Sequence, residues 1–75
     1  MLATDVRCIA IAPDTYAVQV RGDSLVIGHV RKLDASGRRW RARASHWRAD
    51  EWTDTYTRAD AVGMLVAAFN SLATA

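Results

Sequence analysis

The sequence predicts an α+β domain in which an antiparallel meander of three strands, or of four if the N-terminal arm adds one, packs on one C-terminal helix. Three observations predict this class: segments of period-two apolar alternation, turn signals between them, and a capped stretch of helical periodicity near the end. A length of 75 residues allows one domain. We therefore expect an arm or extra strand over 1–14 and a β-β-β-α domain over 15–75.

Two turns separate the three expected strands. Residues 15–21 alternate between apolar and polar side chains, as a half-buried strand does. Gly22 and Asp23 are typical of a two-residue hairpin, and the run 34–37 ends in a glycine suited to closing a loop. The second and third strands are then expected over 24–33 and 38–47. The segment 6–12 is either a further strand or a lead-in arm that ends at Pro13.

The lengths of the turns predict which side chains share a face of the sheet. If both turns close directly, Val18 pairs with Ile27, and Arg31 pairs with Trp40. The face that a helix would cover then holds Tyr16, Val18, Val20, Leu25, Ile27, Trp40, Ala42 and Ala44. The opposite face would hold Ala17, Gln19, Val26, Gly28, Val30, Lys32, Arg39, Arg41, Arg43, Ser45 and Trp47. A bulge in the second loop would change this assignment, because a slip of one residue exchanges the faces of a strand.

The C-terminal helix is predicted from its first turn and its periodicity. Thr57 stands three residues before Asp60, like a capping box with Asp in place of Glu. The apolar stripe that follows is formed by Val62, Leu65, Val66, Phe69, Leu72 and Ala73. After Asp60 the chain has no charged residue, and the expected outward side is formed by Gly63, Met64, Ala67, Ala68, Asn70 and Ser71. An uncharged outward side predicts self-association as a homodimer, or else cover by the N-terminal arm.

Alternating arginines mark a second surface. The stretch 38–48 holds five arginines and no acid. The candidate nucleic-acid-binding residues are Arg38, Arg39, Arg41, Arg43 and Arg48, with Lys32 and Trp47 at the margin. A guanidinium bonds bidentately to phosphate and guanine, and aromatic rings stack on bases, so this face predicts binding of nucleic acid, with duplex DNA as the expected form. The alternative is that these arginines only keep an exposed edge strand soluble.

A rival interpretation makes the chain a protein-interaction module. The uncharged back of the helix and the exposed apolar side chains of the sheet, Val26, Val30 and Trp47, would then form the contact with a host protein. Arginine-to-glutamate changes on the strand would separate the two interpretations, because they should abolish binding of nucleic acid and spare an interface on the helix.

Three segments resemble the AP2-like, three-stranded DNA-binding domains of phage and mobile-element integrases. They are the glycine-containing strand 26–30 (VIGHV), the strand 39–43 (RWRAR) and the entry into the helix at 56–62 (YTRADAV). The resemblance implies a helix that backs the sheet, and Arg39, Arg41 and Arg43 in the major groove. It would make the chain a stand-alone accessory or regulatory module of a phage or mobile element. The chain departs from the family in lacking a recombinase domain and in placing acids at 50, 51 and 54.

Other function classes find little support in the sequence. Cys8 is the single cysteine, which excludes an intramolecular disulfide, and His29 and His46 have no evident third ligand for a metal. No serine or cysteine nucleophile has an evident base, and the acids between 50 and 54 fit a flexible loop, so we expect neither catalysis nor a cofactor. No apolar run is long enough for a signal peptide or a membrane span, which predicts a cytoplasmic protein.

Overall fold

Five antiparallel strands and one helix make up the fold. The computed structural model describes residues 5–22, 24–48 and 50–74, without the side chains of 73 and 74. The strands are β1 (Val6–Ala12), β2 (Thr15–Val20), β3 (Val26–Lys32), β4 (Trp40–Ala44) and β5 (Thr53–Thr55), followed by the helix α1 (Arg58–Thr74). Neighbours along the chain are neighbours in the sheet, in the order β1-β2-β3-β4-β5. The predicted class, an antiparallel meander with one C-terminal helix, is confirmed.

The sheet has one more strand at each edge than the three central strands predicted from the sequence. The N-terminal arm is β1, which pairs with β2 across a turn at Pro13 and Asp14, so the expected extra strand exists within residues 6–12. Asp14 adopts a left-handed backbone with φ of 60°, a conformation that aspartate tolerates. The second added strand, β5, replaces the flexible loop expected at Asp54. With three residues, β5 is shorter than the segments from which the strands were predicted.

The register of β3 differs by one residue from the prediction. Lys32, not Arg31, pairs with Trp40, and Val18 pairs with Gly28 instead of Ile27. One cause is the second loop, which spans 34–38 because the Leu33 amide donates to the Arg39 carbonyl at 2.8 Å. The other is an irregularity beside Val18, where the pairing with β3 skips a residue. The predicted turn residue Asp23 lies outside the described residues.

Hydrogen bonds inside the second loop accommodate its extra residue. The Ser36 hydroxyl donates to Asp34 Oδ1 at 2.7 Å and accepts from the Arg38 amide at 3.2 Å. The first of these bonds is the main reason that the pKa of Asp34 lies below its ordinary value. Gly37 takes a φ of 71°, which a residue with a side chain rarely adopts, and its carbonyl accepts from Trp40 Nε1 at 2.8 Å.

The shifted register places Gly28 and Val30 beneath the helix, whereas the sequence predicted them on the opposite face. A Cβ atom at Gly28 would lie 2.8 Å from Leu65 Cδ2 and 2.6 Å from the Arg43 carbonyl oxygen. Val30 is fully buried. The core comprises Val18, Ile27, Val30, Trp40, Ala42, Ala44, Ala61 and Leu65. Of the side chains predicted for this core, Leu25 is 44% exposed.

The helix begins as predicted but turns a different side to the sheet. The Asp60 amide donates to Thr57 Oγ1 at 3.0 Å, which confirms the N-cap. Ala61 and Leu65 are the fully buried positions, while Leu72, predicted in the stripe, is 54% exposed. The prediction followed the largest side chains. In the structure, short residues of β3 and β4 bring the helix backbone close to the sheet, so that Ala61 fits there.

This rotation changes the outward side of α1. Met64 and Ala68, predicted there, are half-buried and pack against the core. Gly63, Ala67 and Ser71 are exposed as predicted. The helix packs mainly on β4 and β3 and less on β5, so it covers one half of the sheet.

Candidate functional site

The face of the sheet opposite α1, called the outer face below, displays a row of arginines. Trp40, Ala42 and Ala44 of β4 are buried on the helix side. Because side chains alternate along a strand, Arg41 and Arg43 project from the outer face, and Arg39 continues the series just before β4. These three residues form the arginine ladder predicted from the sequence.

Arg31 and Arg7 extend the ladder across the sheet. Arg31 lies opposite Arg41 in the pairing of β3 with β4, and its side chain is exposed. Arg7 lies on β1 opposite Gln19, and its Nη2 donates to Gln19 Oε1 at 3.0 Å. Neither residue was predicted for the outer face from the sequence. The register error put Arg31 on the helix side, and Arg7 lay in a segment whose pairing was open.

Lys32 does not belong to the outer face. It lies opposite Trp40, on the helix side, and its Nζ is 3.4 Å from Asp14 Oδ1. Its predicted place on the outer face is therefore wrong, and the neighbouring Arg31 lies on that face instead.

The other candidates flank the ladder or leave it. Arg38 is exposed in the loop before β4. Arg48 is exposed beyond β4, with Nε 3.7 Å from Asp50 Oδ1. Trp47 is half-buried and packs against the core, so its ring is less available for stacking than predicted.

Two aromatic residues that the sequence analysis did not assign to a site stand along β5. In the pairing of β4 with β5, Arg41 lies opposite Asp54. If the same register continues for two residues in each direction, Trp52 lies opposite Arg43 and Tyr56 lies opposite Arg39. The Arg43 guanidinium carbon lies 5.6 Å from the centroid of the Trp52 ring, a cation–π distance. Tyr56 is 80% exposed, the largest exposure among the described large hydrophobic side chains.

These aromatic residues had a detectable signal. Trp52, Thr53, Thr55 and Tyr56 are of strand-forming types, and they follow shortly after the predicted arginine strand. Asp54 is the one residue among these five that disfavours a strand.

Asp54 interrupts the basic surface. Its Oδ1 accepts from Arg41 Nε at 3.1 Å, and both side chains remain partly open to solvent. Arg39, Asp54, Thr55 and Tyr56 line a shallow open pocket of about 250 Å³. The carboxylate of Asp54, the exposed ring of Tyr56 and the guanidinium of Arg39 therefore lie together at one edge of the outer face.

His29 occupies the middle of the outer face, opposite Arg43 on β4 and Ala17 on β2. Its Nδ1 is buried and has no hydrogen-bond partner among the described residues. Burial lowers the pKa of His29, and the nearby Arg43 charge lowers it further. A neutral imidazole is therefore favoured, which keeps the centre of the sheet from adding another positive charge.

Within the described residues, no group of three or more His, Cys, Asp or Glu side chains is placed to hold a metal ion, and no helix has the length and apolarity to cross a membrane. The sequence matches no protein-family model, and no curated protein or solved structure shows significant similarity to it. The resemblance to AP2-like domains therefore stays a prediction.

Proposed function

We propose that the outer face binds nucleic acid. The observation that supports this most is a set of four outer-face arginines that have no acidic partner among the described residues. They are Arg7, Arg31, Arg39 and Arg43. Guanidinium groups bind phosphate bidentately, and an aromatic edge beside them supplies stacking surface.

The formal net charge of +2 understates the charge of this face. Strand alternation places Asp5 and Asp54 on the outer side. Asp5 forms an ion pair with Arg21 at 3.0 Å, and Asp54 forms one with Arg41 at 3.1 Å. These pairs cancel locally and leave the four unpaired arginines in excess. A surface of this kind attracts a polyanion, although the whole chain is close to neutral.

The proposal predicts binding that weakens with salt. If four phosphates are neutralised, the slope of log affinity against log salt is about −3.6 for duplex DNA and about −2.8 for a single strand. Fluorescence anisotropy with labelled oligonucleotides at several salt concentrations measures this slope. A slope near zero would contradict the proposal.

Arg31 and Lys32 offer a matched pair for the same assay. Both changes, Arg31→Gln and Lys32→Gln, remove one positive charge from adjacent residues of β3, but only Arg31 lies on the outer face. We expect Arg31→Gln to weaken binding and to make the slope shallower by about 0.7 to 0.9. Lys32→Gln should leave the slope unchanged. Equal effects would indicate a diffuse attraction by net charge, without a role for the face.

A second surface supports self-association. Five strands at about 4.8 Å spacing span about 19 Å, whereas a helix with its side chains is about 10 Å wide. Accordingly α1 lies over β3 to β5, and Val6 and Cys8 of β1 are only half-buried. The exposed side of α1 is also free of charge after Asp60. The solvent-facing side of a helix normally carries charged or polar residues.

We propose that a second copy of the chain covers this surface in a symmetric arrangement. Each helix would cover the β1 side of the other copy's sheet, where Val6 and Cys8 are half-buried, which places the two helices side by side between two sheets. A strip about 25 Å long and about 20 Å wide gives roughly 500 Å² per copy, or about 1,000 Å² in total, which is the threshold of a biological interface and typical of a weak dimer. The outer faces would remain open in the dimer.

Sedimentation tests the assembly with two matched changes in one helix. Ala67→Glu places a carboxylate on the exposed side of α1, and Ala59→Glu places one in its exposed first turn, where an acid is favourable. We expect the first variant to be monomeric and the second to remain dimeric. A wild-type chain that sediments as a monomer would contradict the arrangement, and a host protein would then be the remaining occupant.

A further inference from the structure

We propose that Tyr56, Asp54 and Arg39 form a pocket for one unpaired guanine base, so that the outer face takes single-stranded nucleic acid. This inference rests on the proposed function and names its ligand. The three side chains line the same pocket at the edge of the sheet.

Tyr56 provides the stacking surface. An aromatic side chain that is 80% exposed contributes little to the core, and its ring is accessible from solvent. Bases stack on such rings in single strands, because an unpaired base has a free face. Bases inside a duplex already stack on their neighbours and cannot reach the ring.

Asp54 selects among the bases. A carboxylate only accepts hydrogen bonds, and its second oxygen has acceptor capacity beyond the Oδ1 contact with Arg41. Guanine presents two adjacent donors, N1–H and the N2 amino group, to a carboxylate, whereas adenine and cytosine each present one amino group and thymine or uracil one imino N–H. The two guanine donors are engaged in pairing within a duplex, so this contact requires an unpaired base.

Arg39, which lines the same pocket, complements the same base. Guanine carries the acceptors O6 and N7 beside its two donors, and a guanidinium bonds to this pair. Asp54 would repel a phosphate but suits a base edge, which accounts for an acid within an otherwise basic face.

The dimensions of the sheet favour the same conclusion. The major groove of duplex DNA is about 12 Å wide. The outer face is about 19 Å wide, from five strands at about 4.8 Å spacing, and Arg7 lies on the far strand from Tyr56. A flexible single strand can cross this width and contact both edges, whereas a groove admits only part of it.

The test compares labelled twelve-residue oligothymidine with the same strand carrying one central guanine, in deoxyribose and ribose forms, and with a duplex. Anisotropy is measured for the wild type, Tyr56→Ala, Tyr56→Phe and Asp54→Asn. We expect the single guanine to tighten binding about 10-fold, the discrimination that one bidentate contact to a base edge provides. Hypoxanthine, which lacks the N2 amino group, should lose most of this gain.

The variants separate the pocket from the basic face. Asp54→Asn should abolish the preference for guanine while leaving binding to oligothymidine equal or tighter, because a negative charge is removed. Tyr56→Ala should weaken binding to oligothymidine and to the guanine strand alike, because every base stacks on the ring, and Tyr56→Phe should bind both strands as the wild type does. Both residues are exposed, so circular dichroism should show an intact fold.

Three results would overturn the pocket. Equal affinity for all strands with a normal salt slope would refute the guanine site and leave the proposed function standing. Tighter binding to the duplex would refute the single-strand assignment alone. No binding of any oligonucleotide at low salt would refute both proposals.

Discussion

Replacement of Gly28 by alanine tests the register on which the outer face depends. A Cβ atom there would meet the Arg43 carbonyl oxygen at 2.6 Å and two methyl carbons of Leu65 at 2.8 and 2.9 Å. The leucine side chain can rotate, but the carbonyl belongs to the paired strand β4 and cannot move alone. Overpacking of this kind costs about 1–3 kcal/mol, and the backbone contact places Gly28→Ala toward the upper end.

Urea denaturation followed by tryptophan fluorescence measures the free energy of unfolding. Gly63→Ala is the control, because nothing lies within 4 Å of a Cβ atom at this exposed helical position. Alanine is favoured over glycine within a helix by about 1 kcal/mol, so the control should be stabilised. If Gly28→Ala were neutral or stabilising, Gly28 would face solvent as first predicted, and Lys32 would replace Arg31 on the outer face.

Three further changes test local parts of the structure. The pKa of His29 lies below its ordinary 6.5, so the unfolded chain binds this proton more readily than the folded chain. The free energy of unfolding should therefore fall as the pH drops below 6.5. His29→Gln should reduce this fall, which the urea midpoint at each pH measures. Thr57→Ala should cost about 1 kcal/mol in thermal unfolding, whereas Thr57→Ser should keep the cap. Trp40→Phe removes the bond to the Gly37 carbonyl and should cost about 1 kcal/mol or more.

The controls for these changes lie in the same assays. A His29→Gln variant with the full wild-type pH dependence would show that other groups cause it. Equal losses in Thr57→Ala and Thr57→Ser would argue against capping by the hydroxyl, and an unchanged Trp40→Phe would mean that water replaces the lost bond.

The sequence was sufficient for the elements with strong local signals. Thr57 and the apolar run after it predicted the helix, and Gly22 and Gly37 take left-handed backbones at the two turns where glycine was expected. The order of the three central strands followed from the same signals. Each of these features is decided by a few neighbouring residues.

The register of β3 with its two neighbouring strands could not be predicted from local signals in the sequence. The hydroxyl of Ser36 stabilises a five-residue loop that looks like a four-residue turn in the sequence, and this difference moves the side chains of 28–32 to the other face. Ile27 stays in the core, as predicted, because the pairing with β2 skips it. The faces of β4 were predicted correctly, because Trp40, Ala42 and Ala44 alternate with arginines. For the candidate site, Arg39, Arg41 and Arg43 could therefore be assigned to the outer face, while Arg31 required the pairing of two strands.

The remaining part of the site depends on β5. Asp54 and Tyr56 could be assigned to the candidate site only once the pairing of β5 with β4 was known, because this pairing brings them next to Arg39 and Arg41. A three-residue strand is specified by its partner more than by its own sequence. The acid, which looked unfavourable for binding nucleic acid in a loop, becomes a candidate base contact in the sheet.

The most direct test of the outer face is an NMR titration of the isotope-labelled chain with a single-stranded oligonucleotide at low salt. Binding through this face predicts shifts of the side-chain Nε–Hε signals of Arg31, Arg39 and Arg43 and of the Trp52 indole, with little change at the Lys32 amine or along the helix. Shifts concentrated on α1, or no shifts at saturating oligonucleotide, would contradict the account.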